Sequence, residues 1–121
     1  MEVKRATGKD LGDHDHFSGK MASVPMASVA MEGAGPHAAD FVVVSVDAGS
    51  VSDYHLHPGG QVLYVIEGQM VATDRAGHEH TLDRGDVAVT APGEIHMHGA
   101  APDTSVKLLA VSWGGTVWTQ D

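Results

Sequence analysis

Two histidines, His55 and His57, stand one residue apart in the segment Tyr54-His55-Leu56-His57. Alternate side chains of an extended strand share a face, so both imidazoles can reach one ion. Neutral imidazole is a good ligand for zinc, iron, nickel, manganese or copper. The turn Pro58-Gly59-Gly60 then reverses the chain and brings Gln61 onto the adjacent strand, where its amide oxygen could be a fourth ligand. His96, from a distant segment, would close the set. A lone histidine in a small β protein is usually a surface or packed residue, so the combination carries the reading and the pair alone does not. His98 shares a face with His96 and would look into the same cavity about 7 Å away. An imidazole with pKa near about 6.5 could take or give a proton there. The alternative is a rim residue with no proton role.

These residues need strands to hold them, and the pattern supplies strands. FVVVSV (41–46) is β-branched and ends at Asp47-Ala48-Gly49. YHLH (54–57) stops at Pro58. QVLYVIEG (61–68) reads as a strand closed by Gly68, with QMVATD (69–74) returning from it. HEHTL (78–82), VAVTA (87–91), EIHMHGA (94–100) and VKLLAVSW (106–113) follow between turn signals, and TVWTQ could add a short strand. Residues 21–31 could form an early strand, and GAGPH (33–37) reads as a turn. No segment has a convincing helical period. Short strands at this spacing predict an all-β sandwich or barrel in a single domain. The expected division is a polar, irregular arm over 1–20, with a short edge strand around Phe17–Lys20, and a barrel over 21–121.

Alternation assigns faces. Lys107 toward water turns Leu108, Ala110 and Ser112 inward, and Val42, Val44 and Val46 form the inward face of their strand. Inward residues near a barrel mouth also line its pocket, so Val42, Val44, Leu63, Leu108 and Ala110 are the expected pocket lining.

The 121 residues suit one core, and 42% hydrophobic residues is an ordinary globular value. There is no cysteine, which excludes disulfides and thiolate metal sites. Seven Lys and Arg against 16 Asp and Glu give a formal charge of −9, which argues against nucleic acid or an anionic membrane as partner. No apolar run could span a bilayer and the start of the chain lacks a signal-peptide core, so a cytoplasmic location is expected.

The wider spacing is Gly49-x5-His55-x-His57-x3-Gln61-x6-Gly68, then Gly85-x7-Gly93-x2-His96. It resembles the two signature motifs of the cupin superfamily, G-x5-H-x-H-x3,4-E-x6-G and G-x5-P-x-G-x2-H-x3-N, with 16 residues between them. The resemblance spans about residues 40–113 and implies a jelly-roll β-barrel with a metal inside its mouth. Gln61 replaces the usual Glu, Ala91 the usual Pro and Ala100 the usual Asn. With Gln61 the site neutralises none of the metal's charge, so a bound ion should be held less tightly and pull harder as a Lewis acid. The strings HLHPGGQVLYVIEG (55–68) and PGEIHMHGAAP (92–102) look like the small monocupins grouped with the manganese-dependent hydroxynitrile lyases. That likeness implies His55, His57, Gln61 and His96 as metal ligands and His98 as acid/base. Those lyases carry another His on the last long strand, where this chain has Leu108. The implied cofactor is one divalent metal ion, Mn or Fe ahead of Zn or Ni.

Other notable residues have plainer readings. His78 and His80 flank Glu79 in a solvated hairpin, and His14 and His16 lie in the polar arm, where a weak adventitious metal site is conceivable. His37 reads as a loop residue. Met26, Met31, Met70 and Met97 fill gaps in the core. Trp113 and Trp118 should pack at a barrel end or a subunit interface, since exposed strand edges need cover and a homodimer is expected. Three functions fit: a metalloenzyme of lyase type on a small organic molecule, an Fe(II) dioxygenase, or a non-catalytic module binding a metal or small ligand.

Overall fold

The computed structural model describes residues 9–13, 20–25 and 39–119, with side chains described for 39–119. It contains strands β1 Lys9–Asp13, β2 Lys20–Pro25, β3 Ala39–Val46, β4 His55–Leu56 and β5 Gln61–Asp74. Then come β6 Glu79–Asp83, β7 Val87–Thr90, β8 His96–Ala100, β9 Val106–Trp113 and β10 Val117–Trp118. The described residues contain no helix. Every pairing is antiparallel, in the order β1-β2-β3-β9-β5-β8-β4-β10, with β6 and β7 also pairing β5. The sheet curls into a jelly-roll half-barrel, as expected from the run of short strands.

β5 is the pivot of this curl. Its first part pairs with β9 and β7, and its second part with β6 and β8. The expected hairpin between 61–68 and 69–74 is therefore corrected: the two segments are one 14-residue strand. Gly68 bends that strand instead of ending it. Its φ of 84° is open to glycine at low cost, and the register against β9 shifts between Val65 and Glu67. An added Cβ there would run into the carbonyl oxygen of Ser105. A glycine inside a strand pattern marks either a turn or a bend, and here the neighbouring strands settle it as a bend.

The core follows the alternation. Val44, Val46, Leu63, Val65, Met70, Leu82, Ala100, Val106, Leu108 and Ala110 form one buried cluster, with Val42, Ala72 and Ala88 packed against it. Leu63 and Leu108 are fully buried, each contributing about 1.5–3 kcal/mol relative to exposure. The arm expected to be irregular contains β1, whose backbone pairs with β2, while β2 pairs with β3. Ladder bonds need no apolar side chain, so polarity alone did not exclude a strand there. Phe17, Met26, Met31, His14, His16 and the GAGPH segment with His37 lie outside the described residues.

Candidate metal centre

The site forms where three short pieces of chain meet. β4 is two residues long and pairs with β8 through His55 opposite His96, and with β10 through Trp118 opposite His55. His57 follows directly, before the Pro58-Gly59-Gly60 turn. That turn lies against Trp113: the Gly59 N–H donates to the Trp113 carbonyl at 2.8 Å, and a Cβ on Gly59 would sit 2.5 Å from the Trp113 Cβ. Only glycine allows this approach, and it delivers Gln61 as the first residue of β5. His55, His57, Gln61, His96 and His98 are all buried. The ring of His55 lies 4.5 Å from that of His96 and 5.2 Å from those of His57 and His98, centroid to centroid. His57 and His96 are 5.6 Å apart. The ligand atoms of His55, His96 and His98 lie within 4.8 Å of one another, so three histidines could hold an ion as they stand.

Backbone carbonyls fix the tautomers. Nδ1 of His55 lies 2.8 Å from the Asp53 carbonyl, Nδ1 of His57 2.8 Å from that of Gly115, and Nδ1 of His96 3.0 Å from that of Glu94. A carbonyl only accepts, so each Nδ1 carries the proton and each neutral ring keeps its lone pair on Nε2. This is how metal-binding imidazoles are usually oriented. Nε2 of His57 is buried and has no hydrogen-bond partner among the described residues. A buried nitrogen left in that state costs about 1–3 kcal/mol, a cost that a ligated ion would remove.

Gln61 adds an oxygen to the set. Its Nε2 donates to Ser112 Oγ at 3.3 Å, which turns Oε1 toward His96 Nε2 at 2.9 Å. Both facing atoms then present lone pairs. A proton between them would make His96 a buried cation, and burial chiefly holds its pKa below the ordinary imidazole value. A shared metal ion suits the pair better, since adjacent ligand atoms around an ion with bonds near 2.1 Å stand about 3 Å apart. The donor set of imidazoles and one neutral amide oxygen therefore fits a divalent ion.

His98 stacks at 5.7 Å from His96. Its backbone N–H donates to Ser52 Oγ at 3.1 Å, and its carbonyl accepts from the Ser52 N–H at 2.8 Å. Burial first, then the charges of His55, His96 and His57, push its pKa well below the ordinary value. Leu108 is 0% exposed, in the core.

A cavity of about 460 Å³ opens beside His96. Leu63, Ala72, Leu82 and Ala88 supply apolar wall, with Thr90, Asp74, Asp86, Glu94 and His80 around them. Of the five residues expected to line a pocket, Leu63 borders this cavity. Val44, Leu108 and Ala110 lie in the core cluster, with Val42 packed against it. His78 is exposed and pairs with Asp74 at 3.0 Å, and His80 is exposed at the cavity. Trp118 packs its ring 4.8 Å from that of His55, a contact with the centre itself. Sequence alternation had turned Ser112 inward without giving it a task. Asp53, Gly115 and Glu94 act through backbone carbonyls, which no residue type announces.

The model of the cupin domain matches residues 42–112. The chain is 35% identical over 115 residues to (R)-mandelonitrile lyase from Granulicella tundricola, covering 92% of this chain and 83% of that protein. Among solved structures, a cupin-like protein from Thermotoga maritima superposes with TM-score 0.80 at 28% identity, covering 91% of this chain and 84% of that one. A predicted oxalate decarboxylase from the same organism gives 0.75 at 23% identity, covering 98% and 100%, and so speaks to the fold alone. The curled antiparallel sheet, the two histidine-bearing segments meeting across β4 and β8, and these likenesses have one reading: the chain belongs to the cupin family.

Proposed function

We propose that this cupin is a metal-dependent lyase for a small hydroxy or carbonyl compound, with His55, His57, Gln61 and His96 holding one divalent ion and His98 moving the proton. The observation that carries this reading is the set of three imidazoles whose Nδ1 protons are spent on the carbonyls of Asp53, Gly115 and Glu94. Their Nε2 lone pairs and the Gln61 oxygen are left to ligate, and His96 borders the cavity. A bound divalent ion, Mn or Fe first, would supply Lewis acidity toward a substrate oxygen, undiminished by any carboxylate among the ligands.

The relative's reaction names the first substrate to try, mandelonitrile. His98 would accept the hydroxyl proton while the bond to the nitrile carbon breaks and its electron pair leaves with cyanide. Returning that proton to cyanide gives benzaldehyde and hydrogen cyanide, and restores the neutral ring. With Leu108 apolar, one imidazole performs both transfers.

The test loads purified protein separately with Mn, Fe and Zn, then measures metal per chain and benzaldehyde release from mandelonitrile. One ion per chain is expected, lost in His57→Ala and kept in His78→Ala/His80→Ala. His98→Ala should keep the ion and lose about 100-fold or more in rate. No metal under any loading, or full activity in His98→Ala, refutes the assignment. Oxygen uptake by the Fe form without cyanohydrin cleavage would move the protein to the dioxygenases.

A further inference from the structure

β7 carries Val87, Ala88, Val89 and Thr90, and its pairing with β5 sets which of them face inward. Val87 and Val89 are 50% and 70% exposed, so the alternate pair Ala88 and Thr90 turns to the interior. Their cross-strand partners agree. Ala88 stands opposite the buried Leu63, and Thr90 stands opposite the buried Gln61. Thr90 thus borders the cavity at the level of the metal centre, and both Thr90 and His96 are part of the lining.

The Thr90 hydroxyl is buried and has no hydrogen-bond partner among the described residues. A threonine on a strand usually shows its hydroxyl to water or to a neighbouring carbonyl, and a buried unmet hydroxyl costs about 1–3 kcal/mol. Valine has nearly the same shape without that cost, so packing does not account for a hydroxyl at this place. No Lys or Arg lines the cavity, so no cationic side chain there would pair with a carboxylate tail. The apolar side chains of Leu63, Ala72, Leu82 and Ala88 would receive a hydrocarbon body instead.

We propose that Thr90 is a substrate-positioning residue, its hydroxyl hydrogen-bonding the single oxygen of a small, mostly apolar alcohol or carbonyl compound held beside His96. The hydroxyl donates to a carbonyl oxygen, or accepts from an alcohol and directs that alcohol's oxygen toward the imidazole cluster. The inference rests on the reading of this cavity as the substrate chamber of the metal centre. It adds a selecting group outside the ligand set.

The test is a binding cycle on metal-loaded protein. Benzyl alcohol and toluene are titrated by ligand-observed NMR against the wild type, Thr90→Val and Thr90→Ser. Benzyl alcohol should bind about 5- to 10-fold more weakly to Thr90→Val, the loss expected for one hydrogen bond, and normally to Thr90→Ser. Toluene should bind Thr90→Val as well as or better than the wild type. Thr90→Val should be no less stable in urea, since the hydroxyl has no partner among the described residues to lose. Equal losses for both probes, no change for benzyl alcohol, or no binding of either probe overturns the proposal. Metal content is measured on the same samples. Coupling without bound metal would sink the metal reading and leave Thr90 standing, whereas bound metal without coupling would do the reverse.

Discussion

Replacing His57 by leucine separates what this side chain does for the fold from what it does for an ion. In metal-free protein the substitution loses the 2.8 Å bond from Nδ1 to the Gly115 carbonyl, worth about 1 kcal/mol. It also removes a buried Nε2 that has no partner among the described residues, which recovers about 1–3 kcal/mol. Leucine fills similar space with apolar atoms. The two effects nearly cancel, so metal-free His57→Leu should match the wild type within about 1 kcal/mol. The metal-loaded wild type should gain about 4 kcal/mol when free metal exceeds its dissociation constant a thousandfold. For a chain of this length that is a rise in Tm of roughly 15 °C. His57→Leu, lacking one ligand, should lose most of that rise. Thermal melts of both proteins, with chelator and with excess Mn, Fe or Zn, read all four states. A drop of about 3 kcal/mol or more in the metal-free variant would mean that His57 is a structural residue. An equal metal-dependent rise in both proteins would mean that the ion does not use it.

Gly68→Ala should destabilise the fold by about 2–4 kcal/mol in urea, because the new methyl meets the Ser105 carbonyl at a φ of 84°. Gly77→Ala, at a φ of 89° with open space around it, should cost only about 1 kcal/mol, so equal losses would reject the steric argument. Acid should weaken the metal-free protein. The pKa values of His96 and His98 are lowered in the folded state, so below about pH 6.5 the unfolded chain binds more protons. Stability is then full above pH 6.5 and falls as pH drops from there through the folded pKa values, by up to about 1.4 kcal/mol per pH unit for each ring. Urea midpoints at pH 7.5, 6.5 and 5.5 check the sign, and a midpoint that rises on acidification would contradict it.

The parts of the centre that sequence makes legible are those whose chemistry sits in side-chain type and period. His55 and His57 read as a same-face pair because alternation in a strand is insensitive to details of the fold, and the two rings stand 5.2 Å apart. The same alternation turned Leu108, Ala110 and Ser112 inward. Two of them are core, and the third holds the amide of Gln61. What sequence hid was carried by backbone. The carbonyls of Asp53, Gly115 and Glu94 select the imidazole tautomers, and any residue type could supply them. Gly68 was ambiguous for a related reason, because one glycine permits both a hairpin and a bend. Which one it makes depends on β9 and β8, both distant in sequence, and on β6, which folds back along the second half of β5. The bend also decides the cavity. By passing β5 from one set of partners to the other, it places Leu63 and Ala72 of a single strand on the same chamber, together with Leu82 and Ala88. The histidines of the candidate centre are therefore written locally in two short segments, while the space beside His96 is set by strand pairing. Chains that share the histidines can for that reason differ in the shape of that space, and Thr90, which borders it here, stands outside the histidine cluster.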